Sequence, residues 1–142
     1  MRRFMKTLNS ISRCQAYYRN KTVQFDGITA NHHAFMLFIA NHKGCSQEEI
    51  AKELCINKST VTRSIDQLEK SGYVKRIPNI NDKREYLIFP TEKFEQILPS
   101  IRNASNNWNM AISEDIPDEE IEIFYSVLSR IEEKAKKIVS EL

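Results

Sequence analysis

The fold is decided by residues 46–90, which read SQEEIAKELCINKSTVTRSIDQLEKSGYVKRIPNINDKREYLIFP. Ser46 and Glu49 form the Ser-x-x-Glu pattern of a capping box, which predicts the start of a short helix. Asn57 is a favoured cap for a second helix, and Gly72 supplies the left-handed position at which that helix ends. The stretch therefore begins with two short helices joined by a tight connection.

A β-hairpin is predicted directly after the second helix. Residues 73–77 and 85–89 are β-prone, and residues 78–82 between them have the chemistry of a turn. Two short helices followed at once by a hairpin describe a winged helix-turn-helix. We therefore expect a mainly α fold, of the α+β class, built around this unit.

Further helices are predicted on both sides of this unit. Apolar residues spaced by three or four positions predict a helix over about 3–25, and a nearly all-apolar one over 30–41. Another is predicted over about 91–113, with a kink at Pro99, and a last helix starts at Pro117. The last helix repeats an apolar residue over more than two heptads, at Ile121, Phe124, Leu128, Ile131, Ala135 and Ile138.

These patterns divide the chain into three parts. We predict an N-terminal dimerisation helix over 1–28, a winged helix-turn-helix lobe over 29–92 and C-terminal dimerisation helices over 93–142. The apolar stripes of the first and last helices are hard to bury within one small lobe, and pairing with a second copy buries them. An intramolecular helical cap is the alternative.

Charge is distributed unevenly along the 142 residues, although the formal net charge is only +2. Residues 1–30 hold six basic groups, Arg2 among them, against Asp26, and residues 56–91 hold seven against four acidic ones. From residue 94 onward, ten acidic residues face five basic ones. This pattern suits a polyanionic partner bound by one part of the chain. Solvated faces with a chance imbalance are the alternative.

The second helix of the pair carries the residue types that major-groove reading requires. Its predicted inward face is Val61, Ile65 and Leu68. Small hydroxyl side chains at a helix N-terminus approach base edges without clashing, an arginine can donate two hydrogen bonds to guanine, and the terminus itself favours a phosphate. The candidates for DNA contact are Lys58, Ser59, Thr60, Thr62 and Arg63, with Ser46 and Gln47 at the start of the preceding helix. Taken alone, the helix also fits an ordinary amphipathic surface helix.

The tip of the predicted hairpin adds two basic candidates, Lys83 and Arg84. An arginine at this place can enter a narrow minor groove, where negative potential is concentrated. Asp82, two residues earlier, can accept its guanidinium protons and direct the side chain. A surface turn with a weak ion pair is the alternative reading.

Residues 82–93, DKREYLIFPTEK, resemble the wing signature of the MarR/SlyA family of winged helix-turn-helix transcription regulators, which is Asp-x-Arg, a hydrophobic strand and then Leu-Thr-x-x-Gly. Four upstream segments resemble the same family: 27–29, 46–54, 57–63 and 68–74. Pro90 stands where the family has leucine, and Phe94 where it has glycine, so we expect a differently shaped exit from the wing.

The resemblance implies a sequence-specific regulator of transcription, typically a repressor. It implies a homodimer whose first and last helices interlock, so that two recognition helices meet successive major grooves of a pseudo-palindromic site in double-stranded DNA. It also implies a cleft for a small anionic aromatic effector, for which the candidates are Tyr17, Tyr18, Arg19, His32 and His33. The alternative is that the two histidines stand at the start of a helix and are satisfied there by local hydrogen bonds.

The three cysteines, Cys14, Cys45 and Cys55, are odd in number and form no Cys-x-x-Cys pair. This usage argues against a disulfide framework and favours a reducing compartment, so we expect a cytoplasmic protein. A cysteine-based redox-responsive regulator of the same fold is an alternative function. It would require a thiol with a depressed pKa.

Other classes of function have little support in the sequence. No apolar run approaches the roughly 18 residues of a membrane span, and no phosphate loop, Gly-x-Ser-x-Gly or His-Glu-x-x-His motif is present. We therefore expect no membrane association, no cofactor, no metal and no enzymatic activity. A winged-helix module that binds protein instead of DNA is the remaining alternative; it would show exposed apolar residues where residues 58–63 and Arg84 offer hydroxyls and charge.

Overall fold

The computed structural model describes residues 3–142, so Arg2, counted above among the basic residues, lies outside the described part. Along residues 3–142 the elements are α1 (Phe4–Thr22), α2 (Ala30–Asn41), β1 (Cys45–Ser46), α3 (Gln47–Leu54), α4 (Lys58–Lys70), β2 (Val74–Pro78), β3 (Tyr86–Pro90), α5 (Glu92–Ser113) and α6 (Asp118–Ser140). The expected mainly α fold of the α+β class, with a winged helix-turn-helix over α3, α4 and the β2–β3 hairpin, is confirmed.

The helix ends follow the predicted capping chemistry. Ser46 Oγ accepts a hydrogen bond from the Glu49 N–H at 3.1 Å, and a Glu49 carboxylate oxygen accepts one from the Ser46 N–H at 2.8 Å. Asn57 Oδ1 accepts from the Thr60 N–H at 2.8 Å. Gly72 has φ +81°, the left-handed conformation expected where α4 ends. These bonds satisfy N–H groups that helices α3 and α4 leave free at their first turns.

The sheet has three antiparallel strands in the order β1-β3-β2. The hairpin register pairs Val74 with Pro90 and Pro78 with Tyr86, one residue later at each strand than the predicted runs. Strand β1 was not predicted, because it is two residues long and directly precedes a helix. It pairs Cys45 with Ile88 and so attaches the start of α3 to the wing.

Two predicted helix features differ from the structure, the end of α1 and the place of Pro117. Helix α1 ends at Thr22 rather than near residue 25, because Val23 is extended (φ −120°, ψ 100°) and its side chain is buried. Pro117 is the N-cap of α6 instead of its first residue. Helix α5 runs from Glu92 to Ser113 as one element, with Pro99 inside it.

The core surrounds α2, α4 and the start of α5. Fully buried side chains come from each of these elements, and burial of one such side chain stabilises a fold by about 1.5–3 kcal/mol; they include Met36, Ile39, Val61, Ile65, Leu68, Ile88, Phe94 and Ile101. Phe94, one of the two departures from the family pattern, is completely buried here. At the other departure, Pro90 closes β3, and the following Thr91 N–H donates to the Tyr73 carbonyl at 3.0 Å.

The chain divides into two compact units, one reaching to Trp108 and one from Asn109 to Leu142. The winged helix-turn-helix belongs to the first unit. The second unit contains α6, in which no residue is buried, and its exposed apolar side chains include Ile123, Phe124, Tyr125, Val127, Ile138 and Val139. Throughout residues 3–142, no helix is long and apolar enough to cross a membrane.

Candidate nucleic-acid interface

Helix α4 separates a buried face from an outer face. Val61, Ile65 and Leu68 have no exposed surface, as predicted for the inward side. The outer face carries exposed side chains at Lys58, Ser59, Thr62 and Arg63, and a partly exposed one at Thr60. Arg63 makes no hydrogen bond or ion pair with the described part of the chain. Its guanidinium is therefore free to contact a ligand.

The first turn of α4 has its hydroxyl groups directed by the cap. The Ser59 hydroxyl donates to Asn57 Oδ1 at 2.8 Å, and the Thr62 hydroxyl donates to the Lys58 carbonyl at 2.9 Å. Lys58 Nζ lies 3.0 Å from a Glu48 carboxylate oxygen in a pair that is exposed on both sides. Because the two hydroxyl protons are used internally, both oxygens remain as acceptors toward an approaching ligand.

Ser46 and Gln47 lie in different surroundings, although the sequence predicts DNA contact for both. Ser46 is buried with 4% exposure, and its hydroxyl is engaged in the α3 cap. The structure therefore does not bring Ser46 to the outer surface with the other candidates. Gln47 is partly exposed, and its Nε2 donates to Thr62 Oγ1 at 3.0 Å, which joins the start of α3 to the outer face of α4.

The tip of the wing is closed by hydrogen bonds between its two sides. The Asn79 N–H donates to the Glu85 carbonyl and the Asn79 side-chain amide to a Glu85 carboxylate oxygen, both at 2.9 Å. Asp82 Oδ1 accepts from the Arg84 N–H at 3.0 Å and lies 3.5 Å from Arg84 Nε. The predicted bracing of Arg84 by Asp82 is therefore mainly a backbone contact, and the Arg84 side chain remains 93% exposed.

The structure brings the wing tip next to the start of α4. A cavity of about 560 Å³ lies between them, and its lining residues are Gln47, Glu48, Lys58, Thr62, Asp82, Arg84, Glu85 and Tyr86. Lys83, also exposed, is on the same loop. Ile80 on this loop is 95% exposed, and the wing also exposes Ile77 and Tyr86 in part. Residues from α3, α4 and the wing thus form one continuous, mainly polar surface, which we call the reading surface.

Arg76 is a further residue of this region, and the sequence predicted no role for it beyond its positive charge. Arg76 on β2 has a side chain that is only 14% exposed and lies between the wing, α3 and α4. It contacts Asp66 at 2.6 Å, Glu69 at 3.0 Å and Gln47 Oε1 at 2.9 Å. Its partners are too far away in sequence for any local pattern to connect them.

The residues predicted for an effector cleft separate into two groups. His32 is satisfied locally: its Nδ1 accepts from the Thr29 N–H at 3.1 Å, and its Nε2 lies 2.9 Å from Gln67 Oε1. His33 is completely buried, and neither ring nitrogen has a hydrogen-bond partner in residues 3–142. Burial, followed by the nearby charges of Arg19 and His32, lowers the pKa of His33 to about 4.

Arg19 lies beside His33 and is incompletely satisfied. Its Nη2 donates to Ser105 Oγ at 3.2 Å, while its buried Nε finds no partner among the described residues. Burial lowers the pKa of Arg19. The ring of Tyr18 contacts that of Trp108, with centroids 5.3 Å apart, whereas Tyr17 is largely exposed. Arg19 and His33 thus lie close together, Tyr18 packs against Trp108, Tyr17 is exposed, and His32 is held by Thr29 and Gln67.

The cysteines differ in exposure. Cys45 is buried, and burial together with Glu49 raises the pKa of its thiol to about 11, which disfavours a reactive thiolate. Cys14 and Cys55 are free thiols and exposed. Within residues 3–142, no cluster of three or more His, Cys, Asp or Glu side chains is arranged to hold a metal ion.

A model of the MarR family matches residues 28–86, which include α2, α3, α4 and nearly all of the β2–β3 hairpin. Over these residues the chain is similar to the MarR family. It is 29% identical over 103 residues to the HTH-type transcriptional regulator BilQ of Clostridioides difficile (strain CD3), covering 72% of this chain and 70% of that protein.

Solved MarR structures have the same fold. A MarR transcriptional regulator from Methanosarcina mazei Go1 superposes with a TM-score of 0.88 at 26% identity, covering 95% of this chain and 97% of that one. A MarR family regulator from Listeria monocytogenes, complexed with a 26mer DNA, superposes with a TM-score of 0.91 at 24% identity over 98% and 93% of the two chains. The MarR fold therefore extends over nearly the whole chain.

Proposed function

We propose that this chain is a MarR-family transcription regulator that binds a pseudo-palindromic site in double-stranded DNA as a homodimer and represses transcription there. In this proposal α4 enters the major groove, and Lys83 and Arg84 on the wing contact the minor groove. The observation that carries it is the pair of available arginines in this region: Arg63 is unpaired on the outer face of α4, and Arg84 is almost fully exposed on the reading surface. An unpaired arginine at the first turns of an exposed helix suits guanine recognition.

The direct test is binding to the DNA upstream of the protein's own coding region. We expect tighter binding to this DNA than to a random duplex of equal length, and weaker binding at higher salt because phosphate contacts release counterions. Footprinting would then locate two half-sites about one helical turn apart. Equal affinity for both duplexes would contradict specific DNA reading. Run-off transcription from the footprinted promoter, with and without the protein, decides between repression and activation.

Two arginine variants separate base reading from groove anchoring. Arg63→Ala should reduce discrimination between specific and random DNA, at a cost of roughly 1–3 kcal/mol on the specific site. Arg84→Ala should weaken binding to both duplexes more evenly. Arg102→Ala, which removes an exposed arginine of α5, is the matched control. If the Arg63 and Arg84 variants both bind like the control, the contact assignment is wrong.

The homodimer is supported by apolar surface that one chain leaves open. Helix α6 buries no residue, and Phe124 and Ile123 are 51% and 66% exposed. In α1 likewise no residue is buried, and Phe4 and Ile11 are exposed. Patches of this size on a soluble protein mark an interface, and a second copy offers the same patches in return. We therefore assign residues 1–28 and 93–142 to dimerisation.

Sedimentation equilibrium tests this assignment. The unmodified chain should have the mass of a dimer. Phe124→Glu should shift the equilibrium toward monomer, because it places a charge in the apolar contact. Lys134→Glu, a charge change at an exposed position of the same helix, should leave the dimer intact. A monomeric mass for the unmodified chain at all concentrations would contradict the dimer.

A second proposal concerns an anionic aromatic effector at Arg19 and His33. It is supported by three buried nitrogens without partners, Arg19 Nε and both ring nitrogens of His33, beside the aromatic pair of Tyr18 and Trp108. A carboxylate can accept from Arg19, and a ring can stack near Trp108. Release of DNA would follow if the effector binds a conformation that fits DNA poorly.

Benzoate is a suitable probe, since Trp108 is the single tryptophan and reports on the cleft directly. Benzoate should change Trp108 fluorescence and lower DNA affinity, whereas benzamide, of the same shape without the charge, should do neither. Arg19→Gln should abolish the benzoate response, and Arg13→Gln on the same helix should preserve it. Fluorescence that stays constant throughout the benzoate titration would contradict the cleft.

A further inference from the structure

We propose that Arg76 is a positioning residue that fixes the direction of the Gln47 side-chain amide on the reading surface. With this amide fixed, Gln47 presents one N–H donor and one oxygen acceptor to the edge of a base. The inference rests on the proposed DNA binding for its consequence, but the orientation of the amide is a property of the free protein.

The Arg76 guanidinium is held on two sides by carboxylates of α4. Its Nη2 lies 2.6 Å from Asp66 Oδ1, and its Nη1 donates to Glu69 Oε1 at 3.0 Å. The second Glu69 oxygen accepts from the Arg76 backbone N–H at 3.2 Å. Because the guanidinium is planar, two fixed ends determine the direction of the third nitrogen. Nε therefore points at Gln47 with little freedom.

Only one orientation of the Gln47 side-chain amide lets it accept a hydrogen bond from Arg76. Arg76 Nε donates to Gln47 Oε1 at 2.9 Å. A reversed amide would place its NH₂ group against the N–H of Arg76, donor against donor. At its other end, Gln47 Nε2 donates to Thr62 Oγ1 at 3.0 Å.

Thr62 matches the same direction while its hydroxyl proton is donated to Lys58, but because a hydroxyl can rotate, Arg76 is the neighbour that fixes the amide. With the hydroxyl proton donated to the Lys58 carbonyl at 2.9 Å, the Thr62 oxygen can only accept toward Gln47. A reversed amide would then place Oε1 against this oxygen, acceptor against acceptor. The orientation of Gln47 that Arg76 fixes is thus also the one that Thr62 matches.

The bonds left unused by Gln47 define what it can recognise. An amide has two N–H donors and two oxygen lone pairs, and the internal bonds use one of each. One donor and one acceptor remain, and in the major groove this pair complements N7 and the N6 amino group of adenine. Gln47 and Thr62 both line the cavity between the wing and α4, so the unused groups face a space that opens beside Arg84.

Side-chain NMR on the free protein tests the orientation first. In the unmodified chain, the Gln47 NH₂ protons should show nuclear Overhauser effects to Thr62. Arg76→Lys keeps the charge but lacks the planar guanidinium, so these effects should weaken. The backbone amide chemical shifts of α4 should remain those of the folded protein. Lys75→Arg, at an exposed neighbour on β2, should change nothing. Unaltered Gln47 signals in a folded Arg76→Lys protein would overturn the proposal.

Binding to a footprinted half-site tests the consequence. Each base pair is varied in turn, and Gln47→Ala identifies the pair whose preference depends on Gln47. We expect that preference to be for adenine, at roughly 5- to 150-fold over other bases. Arg76→Lys should reduce the preference at this base pair toward that of Gln47→Ala, and in the Gln47→Ala background it should reduce it no further.

The outcomes are distinguishable from failure of the proposed function. Loss of affinity that is equal on all half-site variants, or an Arg76 effect that persists fully without Gln47, would show a merely structural role and overturn the proposal. Gln47→Glu is the second variant: it still accepts from Arg76 but cannot donate to Thr62 or a base, so it should fold normally and lose the adenine preference. Absence of specific binding by the unmodified chain would refute the DNA function itself, while the NMR result would still decide the orientation.

Discussion

The buried imidazole of His33 makes a quantitative prediction about acid stability. His33 on α2 has no exposed surface and no hydrogen-bond partner for either ring nitrogen among the described residues. Burial disfavours its charged form, and the charges of Arg19 and His32 add to the effect, so its pKa falls from 6.5 to about 4. The native protein therefore contains a neutral His33 over a pH range in which the unfolded chain binds a proton there.

The sign and size of the effect follow from linkage. Because the folded pKa is lower than the unfolded one, the contribution of neutral His33 is fully present above the unfolded value and is lost as the pH falls toward the folded value. One pKa unit corresponds to about 1.4 kcal/mol, so the full difference is about 3 kcal/mol. At pH 5 the loss should be about 2 kcal/mol relative to pH 7.

Urea unfolding of the unmodified chain and of His33→Met measures this loss. Methionine has a similar volume and does not titrate, so carboxylates that titrate in both proteins cancel in the difference. The chain concentration is kept constant, because dimer formation contributes to apparent stability. His42→Gln, which removes an exposed histidine, is the control. If the stability difference between unmodified chain and His33→Met stays constant from pH 7 to pH 5, the low pKa of His33 is refuted.

Two substitutions test how the helices of the lobe are closed. Asn57→Ala removes the cap of α4 and should lower the free energy of unfolding by about 1 kcal/mol, with an unchanged unfolding midpoint contradicting the cap. Gly27→Ala should cost at least about 1–2 kcal/mol, since Gly27 has φ +80° and a Cβ there would lie 2.3 Å from Ser71 Oγ. Gly72→Ala has nearly the same φ, but a Cβ there meets only the end of Lys93, so the excess cost at Gly27 isolates the clash with Ser71. Urea unfolding measures the loss of unfolding free energy in each variant, and equal losses for Gly27→Ala and Gly72→Ala would refute the clash.

The winged helix-turn-helix was predictable from the sequence because its signals are local. The capping pair Ser46 and Glu49 lies within one helical turn, and the inward residues Val61, Ile65 and Leu68 recur at helical spacing. Each such signal involves partners that are three or four residues apart, so no knowledge of the tertiary structure is needed to read it. For the same reason, the outward direction of Lys58, Ser59, Thr62 and Arg63 followed from the inward direction of Val61.

The contacts that orient the candidate site were not predictable in this way. Gln47 and Arg76 are 29 residues apart, and Arg19 and Ser105 are 86 apart, so only folding shows that they meet. Ser46 was predicted among the DNA contacts because it stands at the start of a helix, whereas its hydroxyl serves the cap. Sequence indicates which residue types are available, but tertiary packing decides which of their donors and acceptors remain unused.

Helix α4 is held from two sides by hydrogen bonds that leave its first turns outward. On one side, His32 Nδ1 accepts from the Thr29 N–H, and His32 Nε2 lies 2.9 Å from Gln67 Oε1 on α4. On the other side, Arg76 joins the wing to Asp66 and Glu69. Both attachments are C-terminal to the exposed side chains of Lys58, Ser59, Thr62 and Arg63, so a displacement of α2 or of the wing would move α4 without covering those side chains. The effector cleft proposed at His33 is one residue from His32, which makes α2 the element through which an occupied cleft would act on DNA binding.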